Sequence, residues 1–525
     1  MGILYNARIY TLDASRPIAS ALAVEHGRIL AVGETNELFA EFDRAEKRDM
    51  GGQIILPGLT DAHLHLKQYA LSIQKIDCET DTLDECLQRV EERVRSAQPG
   101  EWILGHGWNQ NNWGMWPSAA NLDKIAPDNP IYLTAKSLHA AWANSAALKK
   151  AGVSSGSPDP SNGQLQRNAD GQLTGILLET AMELVSRVLP EPSVESIAEA
   201  IEAAQLKLWC MGLTGVHDFD RRDCFMALQQ LHAHGKLKLR VTKSIPLDSL
   251  AQAVELGLRT GFGDEWLRIG PVKAFMDGAL GPRTAAMFQP YLNEPENRGI
   301  LNMDAEELFE AGRMAVEGGL SMAVHAIGDR ANHEVLDAYE QLRRFERDQN
   351  LPPLRHRIEH VQALHPDDAG RLAELRIIAS MQPIHATSDM LMADQFWGER
   401  AALAYAWQTQ LQQGANLAFG SDAPVESPNP FRGLHAAATR QRADGSPGAE
   451  GWYPEQRLSI QQAIEGYTLG AAYAAGTEGY SGRLAPGYLA DLTVLEQDPF
   501  VIPATDLLDM TPSATMVGGN WVWQA

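Results

Sequence analysis

Thr60-Asp61-Ala62-His63-Leu64-His65-Leu66, following the turn Leu56-Pro57-Gly58, decides how the rest of the chain is read. The stretch reads as the inner strand of a barrel, and in a strand successive side chains alternate faces. His63 and His65, two positions apart, therefore project the same way, and two imidazoles on one face can grip one metal ion. A lone His-x-His is as readily a pair of half-buried histidines, because a short motif takes its meaning from context. The context is supplied by single His, Lys and Asp residues at the ends of later strands.

Apolar strand candidates alternate with helical stretches along the chain, the pattern of a parallel α/β fold. Continuous apolar runs suit strands buried on both faces. They fall at β1 (59–65), β2 (213–219), β3 (237–244), β4 (267–276), β5 (320–326), β6 (355–361), β7 (376–384) and β8 (415–421). Eight such strands predict a (β/α)8 TIM barrel with its chemistry at the C-terminal strand ends. The β1 to β2 gap is too long for one helix and is rich in Trp, Asn, Gly and Pro. Residues 72–190 are read as an insertion folded over the barrel mouth, with a helix over 194–210 leading back. Short strands with turn residues recur at both ends, including a hairpin signal at His26-Gly27. Residues 1–55 and 480–525 are thus expected to form one small β-sandwich domain around a barrel spanning 56–479.

A formal charge of −23 argues against a nucleic-acid partner, since phosphate backbones are held by dense Lys and Arg. The N-terminus lacks a basic segment leading into an apolar run, and no stretch reaches the roughly 20 apolar residues of a membrane span. A soluble, cytoplasmic protein is the expectation. Cys78, Cys86, Cys210 and Cys224 have neither metal-type spacing nor disulfide density, so four free thiols are expected.

The end of β4 reads Pro271-Val272-Lys273-Ala274-Phe275-Met276-Asp277-Gly278. A lysine inside an apolar strand is expensive unless its charge is removed or paired. Carbamylation by CO2 would remove it; an ion pair with Asp277 or a neighbouring Glu would offset it. His325 ends β5 and His360 ends β6, each on its own as consistent with a core residue as with a ligand. With His63 and His65 they make a four-imidazole set, suited with carboxylate to Zn or a similar ion and unlike a closed Cys-rich site. Asp422, in Gly420-Ser421-Asp422-Ala423-Pro424 at the end of β8, is placed either to bind an ion and carry a proton or to cap a following helix.

Substrate groups are read more broadly. Arg283, after β4, suits a substrate carboxylate or carbonyl, or a salt bridge; His385, after β7, could donate to an oxyanion or serve structure. In the insertion, His139 with Trp142 and Asn144, and Trp108, Asn109 and Trp113, form an aromatic and amide mixture fit for a largely apolar ligand or for the insertion's own core.

His63-x-His65, Lys273, His325, His360 and Asp422 together resemble the ligand set of the binuclear amidohydrolase superfamily. The phrases around Lys273, His325-Ala326-Ile327-Gly328-Asp329 and Gly420-Ser421-Asp422-Ala423-Pro424 are similar to its amidohydrolase-3 branch, which includes N-substituted formamide deformylases, and Gly487-Tyr488-Leu489-Ala490-Asp491-Leu492 resembles the superfamily's C-terminal strand segment. The resemblance implies two divalent ions, Zn2+ foremost, with His63, His65 and Asp422 at the more buried one, His325 and His360 at the other, and a CO2-derived carbamate on Lys273 bridging both. It implies hydrolysis of a C–N bond in a small-molecule amide, N-substituted formamide, carbamate or cyclic amide by a bridging hydroxide, with Asp422 passing the proton to the leaving amine. The alternatives are a mononuclear deaminase-type amidohydrolase, for which a bridging lysine has no use, and a non-catalytic barrel scaffold. A homodimer is plausible for an enzyme of this size.

Overall fold

Eight parallel strands stand at the predicted places: β1 Leu59–Leu64, β2 Leu213–Asp218, β3 Arg240–Pro246, β4 Leu267–Phe275, β5 Met322–Ala326, β6 Arg357–His360, β7 Ile378–Met381 and β8 Leu417–Phe419. Their order in the sheet follows their order in the chain, each pairing in parallel with the next. Every residue of β2, β7 and β8 is buried, as expected of strands covered on both faces. The computed structural model that shows this describes residues 1–136 and 139–525. All eight are shorter than predicted, and at two of them the local reason is plain. β3 starts later because Leu237 N still bonds back to Leu231 O at 3.2 Å. β7 stops early because Pro383 opens the helix Pro383–Trp397, and proline suits the first helical turn, where its missing N–H is not needed.

The circle closes after β8 rather than along it. Asp422 N donates to His63 O at 2.7 Å and His65 N to Ala423 O at 2.9 Å. The Asp61 carboxylate, on β1, accepts from Ser421 N at 3.1 Å, Ser421 Oγ at 2.5 Å and His63 N at 3.0 Å. Gly420 allows this approach, since a Cβ there would lie 2.4 Å from His63 N and 2.6 Å from Asp61 Oδ1.

The barrel belongs to a unit made of Met1–Tyr69 and Ile201–Ala525. In the same unit both chain ends enter one eight-stranded sheet, ordered Asn520–Gln524, Pro512–Val517, Leu492–Leu495, Ile54–Pro57, Gly2–Tyr10, Ile18–Glu25 and Arg28–Gly33, with Glu46–Asp49 also on Gly2–Tyr10. Leu4, Ile9, Leu22, Ile55, Leu492 and Val494 pack together under it. The hairpin at His26-Gly27 forms with φ of 49° and 78°, the pair of left-handed conformations that a two-residue turn of type I′ requires.

Ala70–Ala200 is the second unit. It contains a six-stranded sheet, ordered Gly163–Arg167, Leu173–Glu179, Ala140–Ala143, Ile131–Ala135, Ile103–Trp108 and Ile76–Asp77. Its helix Leu83–Arg95 starts at Thr82, whose side chain accepts from Glu85 N, and buries Cys86 and Val90 on one face. The predicted helix leading back to β2 is present as Val194–Cys210. All four cysteines are free thiols, and no helix among the described residues is long and apolar enough to cross a membrane.

Candidate metal centre

β1 carries Asp61 and His63 on one face by strand alternation, and His65 follows its last residue. His63 is buried, with its ring stacked on Phe219 at 4.3 Å between centroids. Its Nδ1 meets Glu359 Oε2 at 2.6 Å, which leaves Nε2 facing Asp422 Oδ1 at 3.5 Å. His65 Nε2 stands 3.2 Å from the same Asp422 oxygen, and its Nδ1 lies 3.5 Å from Asp220 Oδ1.

His325 ends β5 and gives its Nε2 proton to Gly278 O at 2.9 Å, leaving Nδ1 with the free lone pair. His360 does the reverse: its Nδ1 bonds Gln382 Oε1 at 2.7 Å, leaving Nε2 free. The His325 and His360 rings are 4.6 Å apart, and His360 is 5.0 Å from the His63 ring. On a regular strand Glu359 and His360 would point to opposite faces. His360 instead adopts φ 75° and Val361 φ 45°, a left-handed kink that lets neighbouring residues both serve one site. Asp422 is likewise left-handed, at φ 61°. Such conformations in non-glycine residues concentrate at functional sites. The ligand atoms of His63, His360 and Asp422 converge within 4.8 Å of one another.

Lys273, on β4, is buried, and its Nζ finds no hydrogen-bond partner among the described residues. It sits 4.7 Å from the centre of the Phe219 ring and 5.0 Å from that of Phe275. The ion pair with Asp277 weighed from the sequence does not form: Asp277 accepts from Ile327 N, Gly328 N and Ala286 N at 2.8–3.0 Å. Burial pushes the Lys273 ammonium down to about 8.

The electrostatics suit cation binding. Burial, reinforced by the Lys273 charge, lowers His63 to about 4 and His325 to about 3. His360 is held well below the usual histidine range by burial and the His325 and His63 rings. These imidazoles are neutral at pH 7, as ligands must be. At His65 burial opposes charge, but Asp220 and Asp422 outweigh it and raise the group to about 9, a proton that a bound cation would displace. Burial also opposes the Asp422 charge, yet the surrounding histidines hold it well below the carboxylate range. Four imidazoles, one ionised carboxylate and one unpartnered buried amine are a donor set that fits divalent ions.

His385, in the first turn of Pro383–Trp397, places Nε2 4.0 Å from Asp422 Oδ2 and stacks 6.0 Å from His360. A cavity of about 720 Å3 adjoins the group, with His65, Phe219, Asp220, Lys273, Phe275 and Met303 among its walls. A smaller cavity of about 60 Å3 lies at the other end of the barrel, against Thr60, Thr214, Thr242 and Arg268, away from the C-terminal strand ends.

The remaining residues singled out in the sequence have other partners. Arg283 is half-exposed, pairs with Glu294 at 2.9 Å, and is absent from the walls of the larger cavity. Trp108, Asn109, Trp113 and His139 belong to the second unit. Trp108 is fully buried in its core, donating to Leu133 O at 2.8 Å, with Trp142 beside it. Asn109 caps the short helix Gln110–Trp113 through Asn111 N, and Trp113 Nε1 donates to Thr80 O at 3.0 Å. Asn144 is buried and bonded to backbone on both sides, while His139 is exposed and 3.1 Å from Glu179.

Three functional positions had not been singled out: Glu359, Arg357 and Asp220. Arg357 donates through Nε to Glu359, through Nη2 to Ala62 O at 2.7 Å, and through Nη1 to His217 Nδ1 at 2.9 Å. The signal was present, because two charged residues inside a buried four-residue strand raise the same question as Lys273. Asp218, Asp220 and Cys224 also offer clustered ligand atoms, but Lys243 Nζ occupies the space, 2.9 Å from Asp218 Oδ2 and donating to Asp220 O.

The model of a family described as the amidohydrolase family matches residues 46–523. A relative from Arabidopsis thaliana, Protein LONG AFTER FAR-RED 3, is 36% identical over 99% of this chain and 91% of its own length. The N-substituted formamide deformylase of Arthrobacter pascens is 29% identical over 98% of this chain and 97% of its own. Among solved structures, an uncharacterized metal-dependent hydrolase from Pyrococcus furiosus superposes with a TM-score of 0.78 at 30% identity, covering 95% of this chain and 99% of that one.

Proposed function

The chain belongs to the amidohydrolase family, a metal-dependent hydrolase by that kinship, and from this premise we propose that it hydrolyses a C–N bond of a neutral amide, N-substituted formamide, carbamate or cyclic amide at a pair of divalent ions, Zn2+ foremost. The observation that carries this reading is Lys273: a buried amine without a hydrogen-bond partner, among four imidazoles and a carboxylate. His63, His65 and Asp422 would hold one ion and His325 and His360 the other. Carbamylation would let Lys273 reach both, its neutral amine adding to CO2 with loss of one proton. Ions held there supply Lewis-acid activation of water and of a substrate carbonyl.

The chain's own groups do the rest. Asp422 is ionised and surrounded by His63, His65 and His385, placed to take a proton from attacking water and return it to the departing nitrogen. His385, beside Asp422, is the donor to oxygen charge that develops on the substrate. Phe275, Phe219 and Met303 give the cavity apolar walls, while Lys67 with Asp223 and Arg221 with Asp248 are paired charges at its edge. That lining suits a substrate without strong net charge. We take residues 72–190 as an insertion and 1–55 with 480–525 as the terminal β-sandwich domain.

Metal content per chain, on protein grown with bicarbonate and Zn2+ beside a Lys273→Ala variant, tests the reading. About two ions in the parent, fewer in the variant, and hydrolysis within an amide, formamide and carbamate panel are expected. One ion in both would refute the paired site.

A further inference from the structure

The four histidines differ in what holds the ring nitrogen turned away from the centre. His63 alone is hydrogen-bonded to a carboxylate, its Nδ1 2.6 Å from Glu359 Oε2; His65 Nδ1 faces Asp220 Oδ1 at 3.5 Å without a hydrogen bond among the described residues. The two on β5 and β6 bond neutral oxygens: His325 donates to Gly278 O at 2.9 Å and His360 to Gln382 Oε1 at 2.7 Å. A carboxylate that accepts an imidazole N–H fixes the tautomer and makes the opposite nitrogen a stronger ligand, more so than a neutral acceptor does.

The charge on Glu359 is structurally secured. The residue is fully buried, and its second oxygen takes Arg357 Nε. Arg357 is anchored in turn by Ala62 O, on the backbone of the β1 motif, and by His217. Glu359 thus bridges β6 to β1 through one metal-facing ring, and Arg357 bridges them a second time beneath it. Asp220 is fixed by backbone donors, Lys67 N at 2.6 Å and Gln68 N at 3.3 Å, and by Gln68 Nε2 at 3.1 Å. At the His325 and His360 pair no carboxylate is hydrogen-bonded to a ring nitrogen among the described residues: Asp277 Oδ1 stands 3.6 Å from His325 Nε2, whose hydrogen bond goes to Gly278 O, and Gln382 supplies an amide.

We infer that Glu359 is a positioning residue that makes the His63, His65 and Asp422 half of the centre the tighter one, so that the two ions load in order, this half first. The inference rests on the two-ion reading above and adds which half fills first and why.

The test is a titration of metal-free protein with Zn2+ against a chromophoric chelator at fixed bicarbonate. The parent should take up two ions in two phases of distinct affinity. Glu359→Gln should weaken the tighter phase by about 10–100-fold, the usual loss on removing such a partner, and leave the weaker phase in place. Gln382→Glu should do the converse, tightening the weaker phase, and it keeps the inference testable if Glu359→Gln fails to fold. Two ions with indistinguishable affinities, a Glu359→Gln effect on the weaker phase, or no response to Gln382→Glu would overturn the inference while sparing the two-ion reading. A single ion in the parent would instead overturn the two-ion reading and the loading order with it.

Discussion

Replacing Lys273 by Met should stabilise the metal-free protein while removing the paired site. The ammonium is fully buried and pushed from 10.5 down to about 8, chiefly by desolvation. At about 1.4 kcal/mol per pH unit, that displacement corresponds to about 3 kcal/mol of penalty on the charged form. The sign follows from proton binding. Below pH 8 the lysine is charged in both folded and unfolded chains and the penalty is fully present. As pH rises from 8 to 10.5 the folded chain loses its proton first, so stability rises and the penalty fades. Met keeps the length of the side chain and carries no charge. In chelator-treated, bicarbonate-free protein, Lys273→Met should therefore unfold about 3–5 °C above the parent at pH 7. The advantage should shrink below about 1 kcal/mol by pH 10. Thermal melts of both proteins at the two pH values read this directly. A variant less stable than the parent at pH 7, or one whose advantage persists undiminished at pH 10, would refute the argument that Lys273 is held charged at a cost until CO2 or metal neutralises it.

Asp422→Asn removes the group proposed to shuttle the proton, and kcat should fall by about 10²–10⁴-fold in steady-state assays on the best substrate of the panel. Arg357→Met leaves Glu359 buried without its counter-charge and should destabilise the barrel by roughly 3–5 kcal/mol in chemical denaturation. Gly420→Ala would put a methyl 2.4 Å from His63 N and should lower the melting midpoint, at a cost of about 1–3 kcal/mol. Gly281→Ala, where nothing lies within 4 Å of the added atom, should change stability by less than about 0.5 kcal/mol.

The barrel was legible because its strands are short continuous apolar runs, and a parallel sheet buried on both faces leaves that trace. The candidate cluster was legible because His, Lys and Asp are conspicuous at the ends of such runs. What held the ligands in place was not. Glu359 is adjacent in sequence to a ligand, and strand alternation assigns it to the wrong face; only the left-handed backbone at His360 and Val361 puts both residues to use. Asp220 reaches His65 from the far end of β2, a pairing set by register rather than by spacing. The tryptophans stayed open to two readings for a related reason. Trp108 and Trp142 have the composition of a binding surface, and large aromatic rings also fill a small domain's core; burial decides, and both are buried.

The seam between β8 and β1 ties the history of each molecule to its chemistry. Its hydrogen bonds join His63 and His65 to Asp422 and Ala423, residues more than 350 positions apart in the chain. A nascent chain presents its first two imidazoles long before the strand that closes on them exists, and non-local closure of this kind comes late in folding. The assembled site therefore cannot form until the chain through β8 has been made. Any ion it takes would be met by a chain that already carries all eight strands, not by its first strand alone.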